Sequence, residues 1–326
     1  MTLPKRALIT GANGFIGRAL MARLQQMGVE TCGVDLAADS ARQVVAGDIS
    51  QAGPWQDHAR DCDIIFHTAA VVSNSAKPEL YRAISVSGVR KVLDAAVQNN
   101  VPRFIHLSSI AAYGLDFTQD VDETAPITTL SGFSYCDAKA ASEHPVLAAH
   151  AAGEISGTII RPGDVYGPGS RPWVLIPLDM IRKNQFLLPA NGKGIFSPVY
   201  IDNLLDGIIA AATQASGVGQ IFNITDGQGI TCLDFFSHHY RWLGETTTPR
   251  SLPTPLATGL TKAADLLLNK MLKQQTEINL ASLAMMTRQA TYSIAKAQRT
   301  LNYNPAVSLE AGMRKTELWL RETKQI

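Results

Sequence analysis

The sequence predicts an α/β fold, a doubly wound parallel sheet with a small C-terminal lobe, and three observations predict it. Apolar strand-like runs alternate with segments of helical periodicity from Ala7 to about Ile160, the pattern of a parallel sheet covered on both faces. A glycine-punctuated turn, Gly11-Ala12-Asn13-Gly14-Phe15-Ile16-Gly17, joins the first run to the first helix. After Pro168 the alternation stops, and prolines at 172, 177, 189 and 198 divide an apolar, loop-rich stretch. Residues 1–168 are therefore expected to form mainly a nucleotide-binding domain. Residues 169–326 are expected to form mainly the lobe, with strands and helices returning to the main domain.

Ala7-Leu8-Ile9-Thr10 reads as a short buried strand, and Phe15 to Met27 repeats apolar residues at helical spacing. Gly28 closes that helix, and Val29 to Val34 reads as the next strand, ending at Asp35. Further strands are expected at Ile64-Ile65-Phe66, Phe104-Ile105-His106-Leu107 and Thr158-Ile159-Ile160. Strand, glycine turn, helix start and a second strand ending in an acid is the order of a Rossmann unit, whose helix N-terminus holds a pyrophosphate. Asp35 lies 18 residues after Gly17, close to the spacing of about 20 that this arrangement uses. A carboxylate there accepts hydrogen bonds from the adenosine ribose and repels a 2′-phosphate. The next arginine is Arg42, so NAD is expected in preference to NADP.

Tyr135 and Lys139 stand in Phe133-Ser134-Tyr135-Cys136-Asp137-Ala138-Lys139. On a helix, positions i and i+4 share one face, which sets the ammonium beside the phenol. A phenol with a reference pKa of about 10 is a poor base at neutral pH, and an adjacent cation favours the phenolate. The pair points to proton transfer next to the nucleotide. Each motif alone has an ordinary reading, since glycines mark turns and Y-x-x-x-K recurs in helices. It is their order in one chain that gives them weight.

The G-x-x-G-x-x-G spacing with Tyr135 and Lys139 resembles the extended short-chain dehydrogenase/reductase superfamily, the NAD-dependent epimerase/dehydratase family. Gly47-Asp48-Ile49 resembles its adenine-contacting segment, and His67-Thr68-Ala69-Ala70 resembles the strand end that borders the cofactor. Leu107-Ser108-Ser109-Ile110-Ala111-Ala112-Tyr113-Gly114 is similar to S-S-x-x-x-Y-G, which implies that Ser109 is the catalytic hydroxyl. Arg161-Pro162-Gly163-Asp164-Val165-Tyr166-Gly167-Pro168-Gly169 resembles the R-P-x-x-x-Y-G-P-G element near the nicotinamide, with Pro162 and Val165 at the cofactor. Val199-Tyr200-Ile201-Asp202-Asn203 and Ala295-Lys296-Ala297 with Leu301-Asn302-Tyr303-Asn304-Pro305 resemble two later signatures, so the likeness runs from about Lys5 to Trp319. It implies that Tyr135 exchanges a proton with the substrate oxygen. Ser109 would hold that oxygen, and Lys139 would bind the nicotinamide ribose and stabilise the phenolate.

The departures concern the substrate. Ser85-Val86-Ser87-Gly88-Val89 stands where sugar-nucleotide enzymes carry N-V-x-G-T, and Asp164 stands where they commonly have asparagine. Ser197-Pro198 replaces an R-D pair whose arginine grips a phosphate. A bidentate arginine is the usual holder of a diphosphate, and a nearby acid opposes one. Trp173-Val174-Leu175-Ile176-Pro177-Leu178 and Phe186-Leu187-Leu188-Pro189 are apolar instead. The expected substrate-binding residues are Ser109, Asp164, Trp173, Ile176, Phe186, Leu187 and Tyr200. A hydrophobic alcohol or ketone is expected, as in the 3β-hydroxysteroid-dehydrogenase-like branch.

At 326 residues and 46% apolar content the chain can bury a large core. It contains no run of about 20 uninterrupted apolar residues and so predicts no membrane span. The first strand begins almost at once, which leaves no room for a secretory leader. Cys32, Cys62, Cys136 and Cys232 lack zinc or disulfide-framework spacing, so no metal is expected and a reducing cytoplasm is. The net charge of +1 argues against a nucleic-acid partner. From Thr246 onward, however, eleven Lys/Arg face five Asp/Glu, a local charge of +6. Residues 260–273 read there as an amphipathic, basic-edged helix, suited either to packing, including against a second copy in a homodimer, or to peripheral contact with anionic lipid. Three readings follow: an NAD-dependent oxidoreductase of an apolar alcohol or ketone, a sugar-nucleotide epimerase or dehydratase with tightly held NAD, and a non-enzymatic nucleotide sensor. A sensor has no use for Ser109, Tyr135 and Lys139 together.

Overall fold

The computed structural model describes residues 2–73, 75–265 and 279–326. Seven strands form one parallel sheet: β1 (Arg6–Thr10), β2 (Glu30–Asp35), β3 (Val44–Ala46), β4 (Ile64–His67), β5 (Arg103–Leu107), β6 (Ser156–Pro162) and β7 (Ile221–Ile224). Their order is β7-β6-β5-β4-β1-β2-β3, every neighbouring pair parallel. Four residues of β1, all of β4 and all of β5 are buried. This two-sided burial is why those strands read as continuous apolar runs rather than alternating ones.

The chain runs outward from β1 through β2 to β3, then returns to build β4 to β7 on the other side. That reversal places a switch point between β1 and β4, where the carboxyl ends of neighbouring strands open a crevice for a ligand. Helix α1 (Phe15–Gln26) leaves β1 through the glycine turn and ends before Gly28, whose φ of +82° is left-handed. Helices α2 (Gly88–Gln98) and α3 (Ser134–Ala151) follow β4 and β5.

The second half adds α4 (Ile176–Arg182), α5 (Ile201–Thr213), α6 (Cys232–Trp242), α7 (Thr254–Asp265) and α8 (Leu280–Thr287). Strand β7 and helix α5 return to the main sheet. Leu204, Leu205, Ile208 and Ala211 of α5 are buried, and Arg23 of α1 reaches Asp202 at 3.1 Å and Asp206 at 2.7 Å. Around α6, Phe196 stacks on Phe235 with centroids 3.9 Å apart, and Phe186 lies 4.9 Å from Phe236. The helix expected over 260–273 is helical to Asp265, as the end of α7; residues 266–273 lie outside the described residues. No helix among the described residues is long and apolar enough to cross a membrane.

Candidate active site

A cavity of about 1160 Å³ runs from the glycine turn across the carboxyl ends of β1, β4, β5 and β6 into the lobe. At one end the glycine turn brings the backbone close. Gly11 has φ +71°, and a Cβ there would sit 2.7 Å from the backbone of Ala69. A Cβ at Gly17 would collide with the carbonyl oxygen of Gly11. Side chains at either position would break the turn that presents the N-terminus of α1, the part of the fold that suits an anionic pyrophosphate. Asn13, Gly14, Phe15 and Ile16 also line this end, with Asp48, Ile49, Thr68, Ala69 and Ala70 around it.

Asp35 is fixed from both sides, for Oδ2 accepts from the Asn13 amide at 2.8 Å and Oδ1 from the Leu36 amide at 2.7 Å. These bonds hold the carboxylate at the cavity edge. Arg42 lies nearby, but its guanidinium donates to Asp39 Oδ2 at 2.7 Å and to Asn13 Oδ1 at 2.6 Å. Its charge is matched by Asp39, and it does not line the cavity. A cradle of tightly approached glycines beside a fixed acid fits a dinucleotide with an unsubstituted ribose.

At the centre, Ser109, Tyr135 and Lys139 share the cavity wall. Ser109 ends the loop after β5, and its Oγ accepts from the Ala111 amide at 3.1 Å, which leaves the hydroxyl proton free to donate. Burial pushes the Tyr135 phenol up to about 12, while the Ser109 hydroxyl opposes the rise. Lys139 is buried and desolvated to about 8, with Glu143 pulling the other way. Its Nζ donates to the Leu107 carbonyl at 2.9 Å. Lys139 was expected to favour the phenolate, but at the phenol desolvation leads and the ammonium is anchored to β5.

Helix α3 extends the same face by one more turn. Glu143, i+8 from Tyr135, is fully buried and takes a two-pronged bond from Arg161, Nε at 2.8 Å and Nη2 at 2.6 Å. Ser108 Oγ donates to Glu143 Oε1 at 2.5 Å, and the Arg161 guanidinium lies 4.5 Å from the Tyr113 ring centroid. His67 and His106 stack at 5.4 Å beneath Lys139. His67 bonds Thr10 and is pushed down to about 3 by burial; His106 bonds Ser142. This polar bed was missed in the sequence because its members are scattered over β1, β4, β5, α3, β6 and the segment after β5, and no single motif joins them.

The lobe end is apolar. Trp173, Ile176, Phe186 and Leu187 line the cavity there, as do Pro162, Val165 and Asp164. Two expectations require correction. Tyr200 does not line the cavity; its ring sits 5.4 Å from Tyr166 in the core and its amide donates to Asp226. Asp164 is no isolated acid, nor does the region lack a cation, because Arg288 donates to the Asp164 carboxylate and both side chains are at least 95% buried. The missed signal was an arginine just after α8, 124 residues from its partner.

The chain is similar to known proteins over nearly its whole length. A 4-hydroxy-2-methyl-3-oxo-4-farnesyl-3,4-dihydroquinoline-1-oxide ketoreductase of Stigmatella aurantiaca is 25% identical over 318 residues, covering 94% of each chain. A decarboxylating sterol-4-alpha-carboxylate 3-dehydrogenase of Schizosaccharomyces pombe is 26% identical, covering 99% of this chain and 100% of its own. Among solved structures, the epimerase Mth375 of Methanothermobacter thermautotrophicus superposes with a TM-score of 0.81 at 21% identity, covering 98% of this chain and 93% of its own. Residues 7–225 match one family description from the first strand through the glycine turn, the Tyr135/Lys139 helix and β7, and on that match the chain belongs to the NAD-dependent epimerase/dehydratase family.

Proposed function

We propose that this protein is an NAD-dependent oxidoreductase that interconverts a hydrophobic secondary alcohol, steroid-like or of similar bulk, and its ketone. The observation that carries this reading is one continuous cavity that meets Ser109, Tyr135 and Lys139 between a dinucleotide cradle and an apolar lobe. Residues 1–168 hold mainly the cofactor and 169–326 mainly the substrate. Bound NAD supplies the hydride acceptor, or as NADH the donor. Tyr135 takes the hydroxyl proton in oxidation and returns it in reduction. Ser109 donates a hydrogen bond to the substrate oxygen and holds it within reach of the phenol. Lys139 binds the nicotinamide ribose and lowers the energy of the phenolate, an effect that needs its ammonium to swing from Leu107 toward the ribose.

Trp173, Ile176, Phe186 and Leu187 receive the apolar body of the substrate. About 100 Å² of buried apolar ligand surface contributes roughly 2.5 kcal/mol. The two relatives named above, by their names a farnesylated-quinoline ketoreductase and a sterol dehydrogenase, support a bulky apolar substrate. The test is a side-by-side panel of bulky cyclic and long-chain secondary alcohols with NAD⁺, against UDP-glucose and UDP-galactose. Turnover of at least one alcohol without conversion of either sugar nucleotide is expected. Conversion of a UDP-sugar with no alcohol turned over would promote the epimerase reading.

The Asp35 geometry favours NAD over NADP. In parallel titrations the wild-type protein should bind NADH more tightly than NADPH, and Asp35→Ala should narrow that gap. Tighter binding of NADPH by the wild type would contradict the assignment. A homodimer in a reducing cytoplasm fits the four free, buried cysteines and the family resemblance. Peripheral contact of 260–273 with anionic lipid fits the exposure of Leu260, which lines the cavity, and would deliver an apolar substrate directly.

A further inference from the structure

Two buried charges face the substrate end of the cavity, and neither belongs to the proton-transfer group. Asp164 lies in a two-stranded ladder, Asp164–Tyr166 against Pro198–Tyr200. Its amide donates to the Ser197 carbonyl at 2.8 Å, and its Oδ2 accepts from the Ser197 amide at 2.9 Å. Arg288 donates through Nη2 to the same Oδ2, and through Nε to the Ile195 carbonyl at 3.0 Å. The Arg288 side chain is 1% exposed and that of Asp164 5%, yet both line the cavity. Arg288 is the buried guanidinium at the lobe end; Arg171, the other arginine lining the cavity, is exposed.

A guanidinium facing a sheltered cavity is the group best suited to grip a carboxylate or phosphate. Here its charge is already cancelled by an internal carboxylate. We propose that Asp164 is a specificity-determining residue: by occupying Arg288 it cancels the buried positive charge on the wall of the substrate chamber, so that the chamber rejects substrates with an anionic end. The inference deepens the reading above and rests on it for the chemistry of the preferred substrate. The physical basis is the asymmetry of buried ion pairs. A paired buried charge is compensated, whereas the same charge left alone demands a counter-ion. Asp164→Asn keeps the shape and an acceptor oxygen but removes the negative charge. Arg288 then becomes an uncompensated cation at the wall of a cavity of about 1160 Å³, and an anion from solution can enter to pair with it.

The test is isothermal titration of the NAD-saturated protein with inorganic pyrophosphate and with cyclohexanecarboxylate at fixed ionic strength. Saturation with NAD keeps the anions out of the cofactor's own cradle, and the readout needs no turnover. The wild type should bind neither anion detectably. Asp164→Asn should bind at least one of them at least tenfold more tightly, and the double variant Asp164→Asn/Arg288→Leu should lose that gain. Asp164→Ser carries the same expectation as Asp164→Asn. The neutral pair Asp164→Leu/Arg288→Met should fold and still reject both anions. Anion binding by the wild type equal to that of Asp164→Asn, no gain in either single variant, or a gain that survives loss of Arg288 would overturn the proposal. So would failure of both single variants to fold while the neutral pair folds, which would make the ion pair a structural clamp. If the anion gain appears but no apolar alcohol is turned over, the charge filter stands and the substrate reading falls.

Discussion

Replacing Tyr135 with phenylalanine should lower turnover by about 10² to 10⁴-fold while leaving the protein folded and NAD affinity close to wild type. The substitution removes one oxygen from a half-buried ring on a helix whose packing the ring itself preserves, and general acid–base catalysis typically contributes a factor of that size. The pH dependence should sharpen the assignment. Burial holds the phenol up at about 12, so in oxidation the wild-type rate should rise with pH as the phenolate becomes available. That rise should be absent from the Phe variant. Near-full activity in the Phe variant would remove Tyr135 from the reaction.

The second large effect concerns stability. Arg161→Leu should destabilise the protein by about 3–5 kcal/mol, the usual result of stripping one partner from a buried ion pair. Glu143 would be left with a fully buried carboxylate side chain that has lost its ion-pair partner, with only the more distant charge of Lys139 facing it. Glu143→Leu/Arg161→Leu should recover most of that loss, because a buried pair replaced by apolar groups is often close to neutral. Urea unfolding of the three proteins checks this. A single-variant loss below about 1 kcal/mol would show that the pair contributes little, against the expected range. The double variant should still run slower than wild type, since Ser108 would lose the Glu143 carboxylate that fixes the residue before Ser109.

Much of the fold and the centre of the site were readable from local pattern. The β1 strand, the glycine turn, α1 and β2 follow one another in the chain, and the unit follows from short-range chemistry: buried apolar runs, backbone crowding at Gly11 and Gly17, and an acid at a strand end. Tyr135 and Lys139 are one helical turn apart, so their shared face needs no tertiary information. What was not readable is long-range. Asp164 and Arg288 meet across 124 residues, and the sequence around Ser197 therefore looked like a region with no cation. Tyr200 sits in a recognisable signature, yet the ladder with Asp164–Tyr166 turns its ring toward Tyr166 and the core. The direction of the Tyr135 shift was missed for a related reason. Adjacency on a helix reveals a neighbouring charge but not the depth of burial, and here burial leads. Strands returning from the second half were expected but not located in the sequence; β7 pairs with β6.

The central claim is net hydride transfer between NAD and an apolar alcohol, against the reading of a sugar-nucleotide epimerase or dehydratase with tightly held NAD. The direct measurement uses a bulky secondary alcohol deuterated at the carbinol carbon, drawn from the panel above, with NAD⁺ in excess over enzyme. Released nicotinamide is followed by absorbance and mass spectrometry over many turnovers. Free deuterated NADH should accumulate one-for-one with ketone, and about 10² to 10⁴-fold more slowly with Tyr135→Phe. Full conversion of any substrate with no NADH released, the label returning to product, would contradict it.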